Sequence, residues 1–281
     1  MPSATIKLFL IYGDPKRLRT AELSNWSGKA IAAPRTEFDE LLARDEAVQS
    51  GVYILSGADP NTGAPLAYIG EAEVLRDRLK AHKGRDFWIQ AFAFTSKDEN
   101  LTKSHIRYLE GRLIEEAKLA GRFKLENGQA SGARLPESDR EDMEIFLGKI
   151  QQMLPVLGSE LLTPVVATAS DQRKPERLIC AIKGLEAYGE QTSNGFVIFK
   201  GSKAVLADRP SAANQHPFVV SLRQQLIADG VLVQRDGYYE FTKDTEFTSP
   251  SAAAAVVHGG GANGLTAWKT IQGKTLKELG A

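Results

Sequence analysis

Two tripeptides, Gly51-Val52-Tyr53 and Tyr68-Ile69-Gly70, constrain the fold more than any other part of the chain. Val52-Tyr53-Ile54-Leu55 and Tyr68-Ile69 are β-branched, aromatic and aliphatic runs that favour strands. Between them lies Asp59-Pro60-Asn61-Thr62-Gly63, where Pro, Asn and Gly each favour a turn. The pattern predicts a β-hairpin that presents one tyrosine on each strand. Val74, Leu75, Leu79 and Ala81 then follow the spacing of a short amphipathic helix. Arg78 and His82 are four apart and share one helical face.

This stretch resembles the GIY-YIG nuclease domain over roughly residues 48 to 130. Gly-Val-Tyr departs slightly from the first eponymous tripeptide, and Tyr-Ile-Gly matches the second in full. The resemblance implies a catalytic arginine at Arg78 and a histidine one helical turn later at His82. It implies a catalytic glutamate on a second helix, for which Glu110 in His105-Ile106-Arg107-Tyr108-Leu109-Glu110 fits. It offers Asn127 as a substrate-binding asparagine, although the plain reading of Asn127-Gly128 is a turn. The implied fold class is α+β: an N-terminal small antiparallel sheet flanked by helices, then a C-terminal α+β domain.

The chain has 281 residues, enough for two modest domains. Residues 1–47 read as an N-terminal extension packed on the nuclease domain, 48–162 as that domain with a trailing helix, 163–176 as a linker and 177–281 as the second domain. No run approaches the ~18 apolar residues of a membrane span, and no signal peptide is apparent. A cytoplasmic location is the expectation. Cys180 is the single cysteine, which rules out an internal disulfide and a cysteine zinc cluster. The formal net charge is zero. Any nucleic-acid site must therefore be a local patch with salt-sensitive affinity. Arg76, Arg78, Lys80, His82, Lys83 and Arg85 form one, with Lys80 and Lys83 as candidate substrate contacts; the bland alternative is a solvated helix face.

Upstream, Thr5 to Ile11 reads as a strand and Trp26 to Ala33 as a second, closed by Pro34. Thr36 followed by Asp39 resembles an N-cap, predicting a helix through about Ala47 with Phe38, Leu41 and Leu42 inward. Downstream, Phe87 to Thr95 reads as a strand with Trp88, Phe92 and Phe94 on one side. Thr102 can cap a helix with the stripe Ile106, Leu109, Leu113 and Ala117. Glu110 borders that stripe, where an isolated charge is costly, so it must be paired or bind a metal. Residues 137 to 154 are again helical, ended by Pro155.

In the second domain Leu178 to Ile182 reads as a strand, Asn194 to Leu206 as a hairpin and Pro217 to Asp229 as a helix stopped by Gly230. Residues 231–233 and 238–241 form another hairpin, and Ser249-Pro250 starts an alanine-rich helix. The run from Ser249-Pro250 through Gly261-Ala262-Asn263-Gly264 to Trp268-Lys269 resembles the RAMA-type module. It is also similar to a domain of unknown function that often follows GIY-YIG domains. Such modules accompany restriction and modification systems and are proposed to recognise modified DNA. Trp268 is the candidate for stacking on a base, with core packing as its alternative. Gly259, Gly261 and Gly264 mimic a dinucleotide loop, but a helix precedes them where that loop needs a strand.

Together these resemblances imply a Mg2+- or Mn2+-dependent DNA endonuclease, with base-modified or foreign DNA as candidate target. Glu110 would hold the metal, Arg78 the phosphate and Tyr68 the phosphate position, while Tyr53 with His82 would handle the water's proton. The alternative is a DNA-binding or regulatory module built on a weakly active nuclease fold. For Tyr53 and Tyr68 the plain alternative is hairpin packing, and for His82 a satisfied surface histidine.

Overall fold

The computed structural model describes residues 3–127, 133–164, 177–192 and 194–280. The chain is mixed α+β and divides into two compact units, Met1–Pro164 and Val165–Ala281. Gly128 and most of the expected linker lie outside the described residues.

Among its described residues unit one is built on seven strands. In chain order it contains β1 (Ile6–Leu10), β2 (Arg19–Leu23), β3 (Gly28–Pro34), α1 (Phe38–Leu42), β4 (Gly51–Ala58), β5 (Pro65–Ala72), α2 (Leu75–Lys80), β6 (Trp88–Ser96), α3 (Lys103–Ala120), β7 (Lys124–Leu125) and α4 (Glu137–Val156). The sheet order is β1-β2-β3-β6-β4-β5-β7. Every pair is antiparallel except the short β5–β7 pair. Alternation along the strands divides the core into two layers. Val52, Ile54, Ala67, Ile69, Phe92 and Phe94 pack with the stripes of α3 and α4. Tyr53, Leu55, Tyr68 and Ala93 pack with α1 and α2 on the other layer.

Several expectations need correction. The residues read as an N-terminal extension packed on the next domain, 1–47, share its sheet: β3 pairs with β6 from Gly28↔Ser96 to Pro34↔Gln90, so β1–β3 continue the hairpin's sheet. The helix expected through Ala47 ends at Leu42, and Thr36 does not cap it. Glu37 is drawn instead toward the loop before β2, where it accepts from the Leu18 N–H at 2.6 Å and from Arg17 at 2.5 Å. Trp88 is not on the face of Phe92 and Phe94. A bulge between Ser56 and Gly57 makes Gly57 pair with Trp88 while Ser56 pairs with Gln90. The extra residue, Ile89, is 63% exposed, and Trp88 swings into the α1/α2 layer. Pro155 lies inside the last turn of α4 and does not end it. The Thr102 cap is present, reinforced by His105, which reaches back to the Thr102 N–H.

Unit two contains β8 (Leu178–Ile182), β9 (Leu185–Thr192), β10 (Gly195–Ile198), β11 (Lys203–Val205), α5 (Ala212–Gln215), α6 (Pro217–Ala228), β12 (Leu232–Arg235), β13 (Tyr238–Phe241), β14 (Thr245–Phe247), α7 (Pro250–His258), α8 (Gly264–Ala267) and β15 (Trp268–Lys269). The expected hairpin across Gly201-Ser202 is replaced by a change of sheet. β10 joins the five-stranded sheet β14-β10-β9-β8-β15, and β11 joins the three-stranded sheet β11-β13-β12. Ser202 explains the corner: its hydroxyl accepts from Tyr188 N–H and donates to Tyr188 C=O, while Gly201 takes φ +83°. Ser249 caps α7 through the Ala252 N–H, with Pro250 at the first helical position. No helix among the described residues is long and apolar enough to cross a membrane.

Candidate functional site

The β4–β5 ladder pairs Tyr53 with Gly70 and Leu55 with Tyr68, which puts both tyrosines on one face as diagonal neighbours. Their rings stack at 6.0 Å. Gly70 is required by this geometry: a Cβ there would lie 2.4 Å from the Tyr53 ring. His82 follows α2 in a turn, its N–H donating to Leu79 C=O at 2.9 Å. That turn folds the imidazole inward, 4.6 Å from the Tyr68 ring and 5.6 Å from that of Tyr53, centroid to centroid. The Tyr53 hydroxyl and His82 Nε2 are 2.8 Å apart. Tyr53 and His82 are buried, and Tyr68 nearly so. His82 is thus not the surface histidine that its neighbours' charges suggested.

The electrostatics follow from that burial. Desolvation, reinforced by Tyr68, pushes the Tyr53 hydroxyl well above the ordinary phenol range. Burial first, then Arg85 and Arg78, lowers His82 to about 4, so the ring is neutral at pH 7. Arg78 stands exposed on α2 with its pKa raised, chiefly by attraction to Tyr53. Asn127 clamps the strand behind the tyrosines. Its side-chain carbonyl accepts from the Ile69 N–H at 3.1 Å, and its amide donates to Ile69 C=O.

The structure therefore brings Tyr53, Tyr68, Arg78 and His82 together, with Asn127 on the backbone of β5. Glu110 is half-buried on α3. Its helix packs on β4 and β5 but buries its stripe in the opposite layer. Lys80 is exposed at the end of α2, whereas Lys83 turns to Asp39 of α1 at 2.7 Å. Arg76 donates to Leu42 C=O, and Arg85 pairs with Glu126 at 2.7 Å. The basic run is thus largely partnered. Sequence reasoning gave Arg85 only a place in that run. Its guanidinium lies 5.1 Å from the Tyr68 ring centroid, a contact no local spacing announces.

Trp268 is corrected outright. It is fully buried, its ring 4.3 Å from Phe196 and its indole N–H donating to Pro250 C=O at 3.0 Å. Core packing is the alternative realised, and no ring face is left for a base. The glycine mimic is also structural. Gly259 ends α7 in the left-handed region at φ +62°, and Gly264 packs against Pro250 and Ser251 too closely for any Cβ.

Residues 178–280 match the family model for a domain of unknown function (DUF4357). No curated protein and no solved structure matches the chain.

Proposed function

We propose that the chain is a GIY-YIG-type endonuclease that hydrolyses phosphodiester bonds in DNA with Mg2+ or Mn2+. In this reading the domain at 178–280 selects the substrate, with base-modified or foreign DNA as the target class. The observation that carries it is the convergence of Tyr53, Tyr68 and His82 beside an exposed guanidinium, Arg78. Buried titratable groups with opposed shifts, next to an exposed guanidinium, are a functional-site signature.

Glu110 is the candidate metal ligand. Among the described residues no three His, Cys, Asp or Glu side chains gather into a cage. In this reading Glu110 would be joined by waters, as a hard divalent ion that takes few carboxylates allows. When bound, such an ion supplies charge neutralisation at the phosphate and a more acidic water. The chain's own residues do the rest. Arg78 holds two phosphate oxygens through its planar fork. Tyr53 takes a proton from the attacking water and passes its own to His82 Nε2, the neutral acceptor at 2.8 Å. His82 is a weak base in the free protein, partly because Arg85 and Arg78 are near. A bound phosphate offsets both cations and raises its basicity when the substrate arrives.

One observation favours the second reading, a DNA-binding fold with little turnover: the shifts of Tyr53 and His82 hold both groups in their neutral forms and carry both pKa values away from pH 7 in the free protein. Plasmid nicking with Mg2+ or Mn2+ decides. We expect wild type to nick, Glu110→Ala to fold and lose activity, and Arg78→Lys to lose most turnover because lysine lacks the fork. A protein that binds DNA in a salt-dependent way yet nicks with neither ion establishes the second reading. Full activity in Glu110→Ala removes the metal-ligand assignment. A chain ending near Leu162 should still nick but no longer discriminate modified from unmodified DNA.

A further inference from the structure

The segment that carries His82, residues 81–87, has little regular structure of its own to hold it. Besides the ion pairs of Lys83 with Asp39 and of Arg85 with Glu126, its backbone is held by a residue far away in sequence. Arg35 follows Pro34, the last rung of the β3–β6 ladder opposite Gln90, and so enters beside Trp88 at the start of β6. Its guanidinium donates to three carbonyls of this region: Lys83 at 2.9 Å, Trp88 at 3.2 Å and Arg85. It also lies 4.5 Å over the Trp88 ring. Trp88 in turn donates its indole N–H to the carbonyl of His82 at 3.1 Å, and that carbonyl also accepts from the Arg85 N–H. One planar cation thus ties together the chain that follows His82 and the tryptophan that pins its backbone carbonyl. A fork with five donors suits three divergent carbonyls; an ammonium on a flexible stem does not.

We propose that Arg35 is a positioning residue for the Tyr53–His82 pair, so that the N-terminal strands complete the candidate site from a distance. The activity arm of this idea rests on the nuclease reading; the titration arm does not. Without Arg35 three carbonyls lose a common donor and Trp88 loses its covering cation. The loop then admits water and the imidazole drifts from the Tyr53 hydroxyl. The groups facing His82 are Tyr53, Tyr68, Arg78 and Arg85, and Arg35 acts on it only through the loop.

The test uses the full chain, whose four histidines can be followed by NMR across pH. Arg35→Ala is compared with Arg19→Ala, a control in which the lost guanidinium holds the Leu157 and Arg17 carbonyls in the same unit. In Arg35→Ala the His82 midpoint should rise from about 4 toward 6.5. The kcat for nicking should fall about 100-fold with KM little changed, and Arg35→Lys should rescue neither. Arg19→Ala should lower the melting temperature and leave the His82 midpoint in place. Should Arg35→Ala fail to fold, Trp88→Phe keeps an aromatic ring and removes the bond to the His82 carbonyl together with part of the indole's packing. It should shift the midpoint the same way by less. If melting falls in Arg35→Ala while the His82 midpoint and the pH–rate profile stay put, Arg35 is an ordinary structural arginine and the proposal is wrong. If wild type does not nick at all, the nuclease reading fails, and the His82 midpoint alone decides the role of Arg35.

Discussion

Each unit holds one histidine against a buried acid, and the two pairs differ where it matters. In unit one His82 Nε2 meets the Tyr53 hydroxyl at 2.8 Å; in unit two His258 Nε2 meets the Cys180 thiol at 3.2 Å. Both imidazoles are lowered by burial and then by arginine. Arg209, however, points a guanidinium N–H at His258 Nδ1, 3.0 Å away. Guanidinium only donates, so Nδ1 must accept and the ring proton sits on Nε2, facing sulfur. His258 cannot take the thiol's proton in that form. Burial pushes the Cys180 thiol up to about 12, and Trp268 sits opposite it in the β8–β15 ladder. No such donor fixes His82: its Nδ1 has no partner among the described residues. An exposed arginine stands beside its pair. The two pairs therefore differ in whether the ring nitrogen that faces the acid is free to accept its proton.

Breaking the contrast at its strongest point means exchanging the two acids' roles in an activity assay. Tyr53→Phe should lower nicking by about 100- to 10,000-fold, the usual worth of a positioned proton acceptor. Cys180→Ala should leave the nicking rate unchanged. Equal losses in both would erase the distinction.

A smaller effect appears in stability against pH. His82 titrates near 4 when folded and at 6.5 when unfolded. Between those values the unfolded chain binds more protons, so stability is full above pH 6.5 and falls as pH drops toward 4. His258 is shifted the same way and adds to the slope. The His82 contribution is on the order of 2–3 kcal/mol. Glu46, lowered to about 2 by Arg44 and Lys29 against its own desolvation, acts in a separate window below its unfolded value of 4.5. Urea melts at pH 7 and pH 5 should differ clearly in wild type and less in His82→Gln. Identical differences would mean that His82 is not buried neutral.

The smallest expected effect sharpens the tautomer argument. Arg209→Ala removes exposed hydrogen bonds to His258 and to the Gly261 carbonyl and should cost about 1–2 kcal/mol. It should also raise the His258 midpoint, because a neighbouring cation is gone. An NMR titration that leaves that midpoint unmoved would discount Arg209 as the group that fixes the ring.

Much of this contrast was legible in the sequence on one side only. Tyr53 and Tyr68 share one hairpin face and Arg78 lies on the helix that follows, so local periodicity places these three, whereas His82 comes just after the helix and is brought in by a turn. The register that puts Tyr53 over Gly70 follows from the turn between the strands. β2 was missed because Arg19-Thr20-Ala21-Glu22-Leu23 has no strand pattern. It is buried by strands on both sides, not by its own composition. Trp88 was misplaced because a bulge reverses alternation without changing the sequence around it. Arg35 carries no signal, since its three acceptors are backbone carbonyls about fifty residues away. In unit two Trp268 stood out by its size and neighbours, yet size is also what a core selects. Sequence patterns report which face a residue takes, whereas the partners of that face are set by chain segments folded together later.

The strand order of unit one also sets a schedule for synthesis. β3 must pair with β6, and the nearest rung joins Pro34 to Gln90. During translation at roughly 5–20 residues per second, the apolar Ala30–Ala33 edge therefore waits several seconds for its neighbour. Nascent chains caught in that interval expose an unpaired strand, the species most open to wrong partners. Slowing the ribosome between codons 35 and 90 should lower soluble yield, while the same delay placed after β6 has left the ribosome should not.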